Sequence, residues 1–291
     1  MNNENPYFID EPSAISFSGG RTSAYMLFKV MEAHGGKLPD YLKVTFANTG
    51  KEMPETLDFV RDCGEKWNVD IVWLECSTRL GTEDESKKYY YETKVVDYET
   101  ANRNGQPFHE LIMARRYMPN PVARFCTQEL KILRIRDWMN EQFPKEGRSQ
   151  VWLNVVGLRA DEQRRAAKMN GRDDVYLPMV DAGDTKKDVY DFWQNQSFDL
   201  KLPNNNGVTD WGNCDLCFLK GLSKKLSIIR KRPDLADWWE EQEQELAGVI
   251  GKGAFFRSDQ PSYAVMKTIT LEQSDMFSDV IDETIPCYCG D

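Results

Sequence analysis

Apolar positions along the chain fall into short runs separated by amphipathic stretches, a pattern that predicts strands each followed by a helix. The run at 15–17 ends in Ser18-Gly19-Gly20, and Ala24, Met26, Leu27 and Val30 follow at helical spacing, which gives strand, tight turn and helix start in that order. A second run, 42–47, ends in Asn48-Thr49-Gly50-Lys51-Glu52. Pro54 then opens a helix through Leu57 and Val60 towards Trp67, since proline is tolerated in a first helical turn. Residues 70–74 give a third strand. The stretch 76–108 is polar, rich in Tyr, Glu, Lys and Asp and without a clear period, and reads as an excursion. Helical patterns return at 107–117 and 128–142, and 151–156 is the next central strand. It ends in a glycine turn, 157–162, opening a helix that carries Arg164 and Arg165. A short amphipathic helix at 185–196, a loop at 202–207, two helices around 219–247 and a cysteine-bearing tail complete the chain.

Strands alternating with helices imply right-handed crossovers, and so an α/β fold: a parallel twisted sheet with helices on both faces, plus a helical C-terminal region. The loop at 202–207 suggests a division into a nucleotide-binding unit, 1–200, and a cysteine-bearing helical region, 201–291. Ligands of such sheets collect at the carboxyl ends of the strands, so the turns after residues 17, 47 and 156 should share one rim.

The first of these turns has the chemistry of a phosphate cradle. Glycine lets the backbone approach an anion closely, and the first N–H groups of the following helix have no intrahelical partner. The helix dipole adds to this, Ser18, Thr22 and Ser23 add hydroxyls, and Arg21 adds a fixed charge. Neither the G-x-x-x-x-G-K-[ST] nor the G-x-G-x-x-G spacing is present. Asn48 and Glu52, on the neighbouring turn, are placed to reach a nucleotide lying on the loop.

Composition narrows the classes. A net charge of −10 argues against sequence-blind coating of nucleic acid. The basic residues nonetheless cluster beside the motifs, and Arg21, Lys131, Arg159 and Arg164 are candidates for phosphate or sulfate contact because they lie at motif positions. No apolar stretch approaches ~20 residues, so no membrane span is expected. The first residues, MNNENPYFIDEPS, lack a basic start and an apolar core, and a cytoplasmic location is expected. Seven cysteines against two histidines push any metal towards thiolate ligands. Cys214-x-x-Cys217 can place two thiolates on one centre; Cys126 would supply a third ligand, and Cys287 or Cys289 a fourth, unless the site stays open at one position. Cys63 and Cys76 read as core residues.

Taken together, the motifs resemble the phosphoadenosine-phosphosulfate (PAPS) reductase family of the PP-loop ATP pyrophosphatase (adenine nucleotide alpha hydrolase-like) superfamily. Ser18-Gly19-Gly20 with Ser23 is similar to the superfamily's pyrophosphate loop, and Asn48 to Leu57 to the family's Thr-Gly-x-x-x-Pro-Glu-Thr segment. Arg124-Phe125-Cys126-Thr127 with Lys131 resembles its Arg-x-Cys segment, Gly157 to Glu162 its Gly-x-Arg loop, and Gly212 to Cys217 the cysteine pair of cluster-bearing members. The late Glu-Cys-Gly-x-His motif of the reductases is absent; the tail offers Cys287-Tyr288-Cys289-Gly290 instead.

The resemblance implies an enzyme of sulfur chemistry that binds ATP or a sulfonucleotide (PAPS or adenylyl-sulfate) with magnesium. Nucleotide contacts would come from Ser18, Gly19, Gly20, Arg21, Thr22, Ser23, Asn48, Thr49, Gly50, Glu52, Gly157, Arg159 and Arg164. Arg21, Lys131 and Arg159 would act in catalysis, with Cys289 as a thiol nucleophile. Cys126, Cys214, Cys217 and Cys287 would ligate a [4Fe-4S] cluster, or zinc as the alternative. Expected activities are adenylation with pyrophosphate release followed by sulfur transfer, sulfonucleotide reduction to sulfite, or nucleotide binding without catalysis. Expected partners are a nucleic-acid or small-molecule sulfur acceptor, a redox or sulfur-donor protein, and a second copy of the chain.

Overall fold

The computed structural model describes residues 5–83, 88–144, 147, 150–169, 171–205 and 207–272. In chain order the α/β part comprises β1 (Ser13–Ser16), α1 (Arg21–Ala33), β2 (Leu42–Asn48), α2 (Pro54–Trp67), β3 (Ile71–Leu80), β4 (Tyr89–Val96) and α3 (Gln106–Arg115). There follow α4 (Phe125–Thr127), a π-helical turn (Gln128–Ile132), α5 (Leu133–Gln142), β5 (Leu153–Val156), α6 (Gln163–Met169), β6 (Val175–Tyr176), α7 (Pro178–Ala182) and α8 (Lys186–Gln194). The C-terminal region is helical, with α9 (Leu222–Lys231), α10 (Leu235–Ile250) and α11 (Tyr263–Glu272).

The strands form one six-stranded sheet in the order β4-β3-β2-β1-β5-β6. β1 pairs in parallel with β2 on one side and β5 on the other, with Ser16 opposite both Thr45 and Val156. β2–β3 and β5–β6 are also parallel. The chain therefore builds outward from β1 in one direction and returns to build in the other. The crevice between β1 and β5 is the topological switch point at which ligands of such sheets bind. The turns after β1, β2 and β5 lie on one edge, as the alternation of elements required.

The edge beyond β3 corrects the reading of 76–108 as an excursion. β3 continues to Leu80 and the chain returns as β4, antiparallel, with Leu80 opposite Tyr89 and Trp73 opposite Val96. Tyr89, Tyr90 and Tyr91 favour a strand. β4 is an edge strand with no fully buried residue, and its alternation, Tyr91 and Thr93 half-buried against exposed Glu92 and Lys94, is short and polar. The sheet is thus parallel except at this edge.

Both faces are covered, as a parallel sheet demands. Successive residues of a strand point to opposite faces, and Ala14 and Ile15 are both fully buried but belong to different clusters. Ile15 joins the main core with Phe46 and Val155; Ala14 meets Met139 of α5 and Trp152. The main core runs on without a break into the C-terminal helices, where Trp239 stacks on Tyr263 at 5.3 Å and meets Phe256 at 4.9 Å. Cys63 and Cys76 are buried in that core, and burial raises both thiols, that of Cys76 to about 11. Among the described residues no helix is long and apolar enough to cross a membrane.

Candidate functional site

The turn after β1 is built to leave donors unsatisfied. Gly19 has a φ of +79°, and a Cβ there would come within 2.7 Å of Thr56 Cγ2. Only glycine meets both conditions without strain. Ser23 staples the turn: its hydroxyl accepts from the Ser18 amide at 3.2 Å, lies 2.9 Å from Ser18 Oγ and donates to the Gly20 carbonyl at 3.1 Å. The helix cap Gly20 has no side chain to offer, so the first amides of the 13-residue α1 have no side-chain partner. An open cleft lies over them, lined by Ser18 to Thr22, Thr56, Arg159, Glu162, Leu200 and, from the C-terminal side, Gly207 to Thr209, Gly212 and Asn213.

Two buried polar atoms of the cleft wall have no hydrogen-bond partner, Arg21 Nη1 and Thr56 Oγ1. Buried groups of this kind are normally satisfied. The uncapped helix start, the glycine turn and these two atoms together fit an anionic group. The rest of the Arg21 guanidinium is committed: Nε and Nη2 form a fork on Asp199 at 2.6 and 2.8 Å, and Nη2 also donates to the Leu200 carbonyl at 2.6 Å.

The turn after β5 closes the other side of the switch crevice. A Cβ on Gly157 would sit 3.2 Å from Ser23 Cα, so this turn rests directly on the first one. Arg159 lines the cleft with Nη1 donating to Thr22 Oγ1 at 3.2 Å, while Nε pairs with Asp161 at 3.0 Å and its amide donates to Glu162 Oε2 at 3.1 Å. Arg164 is exposed on α6 and is not part of the cleft wall.

The turn after β2 faces elsewhere. Asn48 is fully buried; its amide nitrogen donates to Glu75 Oε1 at 2.6 Å and to the Asn102 carbonyl at 2.8 Å, and its oxygen accepts from the Gly50 amide at 3.2 Å. Burial pushes the Glu75 carboxyl up, although it accepts from Asn48 and the Asn102 amide. Gly50 lies under the 102–105 turn, where a Cβ would meet Asn102 Oδ1 at 2.4 Å. Glu52 accepts from the Thr49 amide at 2.9 Å and hydroxyl at 2.9 Å, and Lys131 Nζ lies 3.3 Å from its other oxygen. These side chains shape the turn rather than line the cleft, and Lys131 is held on the same side by the π-helical turn.

Of these residues Thr49 and Lys131 line a second, mainly apolar cavity of about 20 Å³, whose wall also includes Asn213 and the three cysteines Cys126, Cys214 and Cys217. Cys214 Sγ is 3.6 Å from Thr49 Oγ1, and burial, reinforced by the Glu52 carboxylate, raises its thiol well above the ordinary value. Cys126, Cys214 and Cys217 were expected to hold a metal. They converge on one cavity, but no group of three or more His, Cys, Asp or Glu close enough to hold an ion occurs among the described residues. The described thiols therefore do not by themselves fit a cluster or zinc. Cys287 and Cys289 lie outside the described residues.

Four residues that organise this rim were not singled out in the sequence. Thr56, in the Pro54-Glu55-Thr56 segment, lines the cleft; Asp199 holds Arg21. Lys51 and Asp215 form a buried ion pair at 2.8 Å. Lys51, Thr56 and Asp215 sit inside the motifs, a signal that could have found them; Asp199 carries none.

Fold and cleft together define a doubly wound α/β protein with an uncapped glycine loop at its switch point. Residues 12–171, more than half of the chain, match the phosphoadenosine phosphosulfate reductase domain. The chain belongs to that family. It is also 30% identical over 214 residues to the uncharacterized nin region protein ORF290 of Escherichia phage lambda, an alignment covering 73% of this chain and 67% of that protein.

Proposed function

We propose that this chain is an adenine-nucleotide-dependent enzyme of sulfur chemistry, of the ATP pyrophosphatase and sulfurtransferase type. The observation that carries the reading is the cleft over the start of α1, with its uncapped amides and the partnerless Arg21 Nη1 and Thr56 Oγ1. ATP would lie with its phosphates on Ser18 to Ser23, Arg159 supplying charge from the opposite wall. Magnesium carried with the nucleotide supplies further charge neutralisation. An acceptor oxygen attacks the α-phosphorus, the bond to the β-phosphate oxygen breaks, and pyrophosphate leaves. The protein's contribution is positioning and fixed dipoles aimed at the developing charge. A sulfur nucleophile then displaces AMP from the activated acceptor, and the thiol cavity beside the cleft is where that sulfur would be handled. Adenine nucleotide, an acceptor of nucleic-acid or small-molecule class and a sulfur-donor or redox protein are the partners this reading requires.

Pyrophosphate release from ATP, measured for the wild-type chain and for Gly19→Ala, tests it. Turnover in the wild type and at least a tenfold loss in the variant are expected. Equal rates, or no release from either, would overturn it.

The family's own name supports a second reading, sulfonucleotide reduction, in which PAPS or adenylyl-sulfate occupies the same cleft and Cys287 or Cys289 attacks sulfur. Sulfite release on mixing the sulfonucleotide with a dithiol, abolished by Cys289→Ser, would favour it over the first. Tight nucleotide binding with neither product would leave a binding protein.

A further inference from the structure

Asn213 lines both cavities of the rim, the phosphate-loop cleft and the thiol cavity. Gly212, before it, belongs to the cleft wall alone, and Cys214, after it, to the thiol cavity alone. Its φ of 59° is in the left-handed region, which is unfavourable for a residue with a Cβ, less so for asparagine than for most. Strain of this kind persists only where the surroundings over-determine it.

Here they do. Upstream, Lys220 Nζ donates to the carbonyls of Asp210 at 2.5 Å and Gly212 at 2.6 Å. Downstream, the Asp215 amide donates to the Lys51 carbonyl at 2.8 Å, Cys214 bridges Glu52, and the Lys51–Asp215 ion pair locks the two turns together. The backbone is pinned on both sides of the one strained residue. Glycine would meet that φ at lower cost, but glycine would leave no side chain between the cavities.

We propose that the Asn213 side chain is the partition between the nucleotide cleft and the Cys214 thiol, and that it governs access from one to the other. It is a positioning residue, acting on the thiol and on whatever occupies the cleft. The proposal rests on the reading that both cavities serve one reaction.

The test is the alkylation rate of each cysteine by iodoacetamide, read by peptide mass spectrometry on the full chain, for wild type, Asn213→Gly and Asn213→Ala. Asn213→Gly relieves the backbone and removes the side chain; Asn213→Ala removes the side chain beyond Cβ without relieving the backbone, since alanine tolerates this φ less well than asparagine. Both are expected to speed labelling of Cys214 by about tenfold while Cys63, buried in the core, stays unreactive. ATP with magnesium is expected to slow Cys214 labelling in both variants, because the cleft becomes the way in. Unchanged Cys214 labelling overturns the proposal. So does a parallel rise at Cys63, which would mean a loosened fold, or an effect of Asn213→Gly alone, which would mean backbone freedom rather than a missing side chain. The rates without nucleotide do not depend on ATP chemistry. A chain that releases no pyrophosphate would therefore defeat the proposed function and leave this comparison standing.

Discussion

Lys51 Nζ lies 2.8 Å from Asp215 Oδ2 with both side chains buried, so one ion pair ties the turn after β2 to the loop that carries Cys214 and Cys217. Asp215 also accepts from Trp239 Nε1 at 2.7 Å, and the Lys51 ammonium sits 4.9 Å from the Trp238 ring centre. Burial raises the Asp215 carboxyl, and Lys51 opposes that rise. The lysine of the Thr-Gly-Lys-Glu segment is thus turned away from the cleft over α1 and spent on holding the C-terminal region in place.

Breaking a buried pair leaves one charge stranded, which costs about 3–5 kcal/mol, whereas removing both charges is far less damaging. Lys51→Met and Asp215→Asn are each expected to lose stability of that order. The double variant should recover a large part of it, as read from urea unfolding midpoints. Additive losses would show that the two side chains act independently.

Gly19 makes a second prediction through its contact with Thr56. Gly19→Ala forces a Cβ to within 2.7 Å of Thr56 Cγ2 at a φ of +79°, so a loss of about 2 kcal/mol is expected, with a matching fall in nucleotide affinity. Thr56→Ser deletes the clashing methyl but keeps the hydroxyl. Combined with Gly19→Ala it should return part of the stability, leaving the cost of the dihedral and of the tight approaches to Val60 Cγ2 at 3.1 Å and Phe46 Cε2 at 3.3 Å. Calorimetric melting of the two single variants and the double variant decides it. No recovery would place the damage elsewhere.

The sequence made the rim legible because glycine turns after apolar runs have few other uses. The parallel strands β1, β2 and β5 put those turns on one edge, as read. It was less informative about direction. Asn48 and Glu52 follow a strand, as cleft residues should, yet both side chains are consumed by neighbours within their own turn and by Asn102, Glu75 and Lys131. Arg21 stands in the glycine turn after β1, but its fork is taken up by Asp199, nearly 180 residues later and without any local signal. Long-range partners of this kind depend on how α8 and the following loop fold back over α1, and no periodicity records that. β4 was missed for a related reason: an edge strand with no fully buried residue, only Tyr91 and Val96 packing partly against the core, displays too weak a stripe in the sequence.

Arg159 and Arg164 separate two roles that the sequence could not distinguish. Arg159 lines the cleft and reaches Thr22, whereas Arg164 is exposed outside it. A charge-assisted hydrogen bond is worth about 1.5–3 kcal/mol, so Arg159→Ala should weaken ATP binding by about 10- to 100-fold. Arg164→Ala should change it by about twofold or less, as expected of a solvated charge. Isothermal titration of both variants checks this; equal losses would move the nucleotide towards α6.

Glu243 predicts a pH dependence in the C-terminal region, away from the cleft. Its carboxylate accepts from the amides of Phe256 at 3.2 Å and Tyr263 at 3.0 Å, yet burial pushes it up to about 7. The facing charges are Lys225, which lowers it, and Glu240, which raises it. Burial brings the Lys225 amine down to about 8, so that group stays protonated below neutrality and does not change the sign. A carboxyl raised in the folded state binds its proton more tightly there than in the unfolded chain, whose carboxyl titrates near 4.3. The Glu243 contribution to stability therefore grows as pH falls from about 7 towards 4.5. Other carboxylates will lose ion pairs over the same range, so the informative quantity is wild type minus Glu243→Gln. That difference should shift in favour of wild type by about 2–3 kcal/mol between pH 7.5 and 4.5, measured by urea unfolding at three pH values. A flat difference would mean that Glu243 is ionised throughout, held by its two amides against the cost of burial.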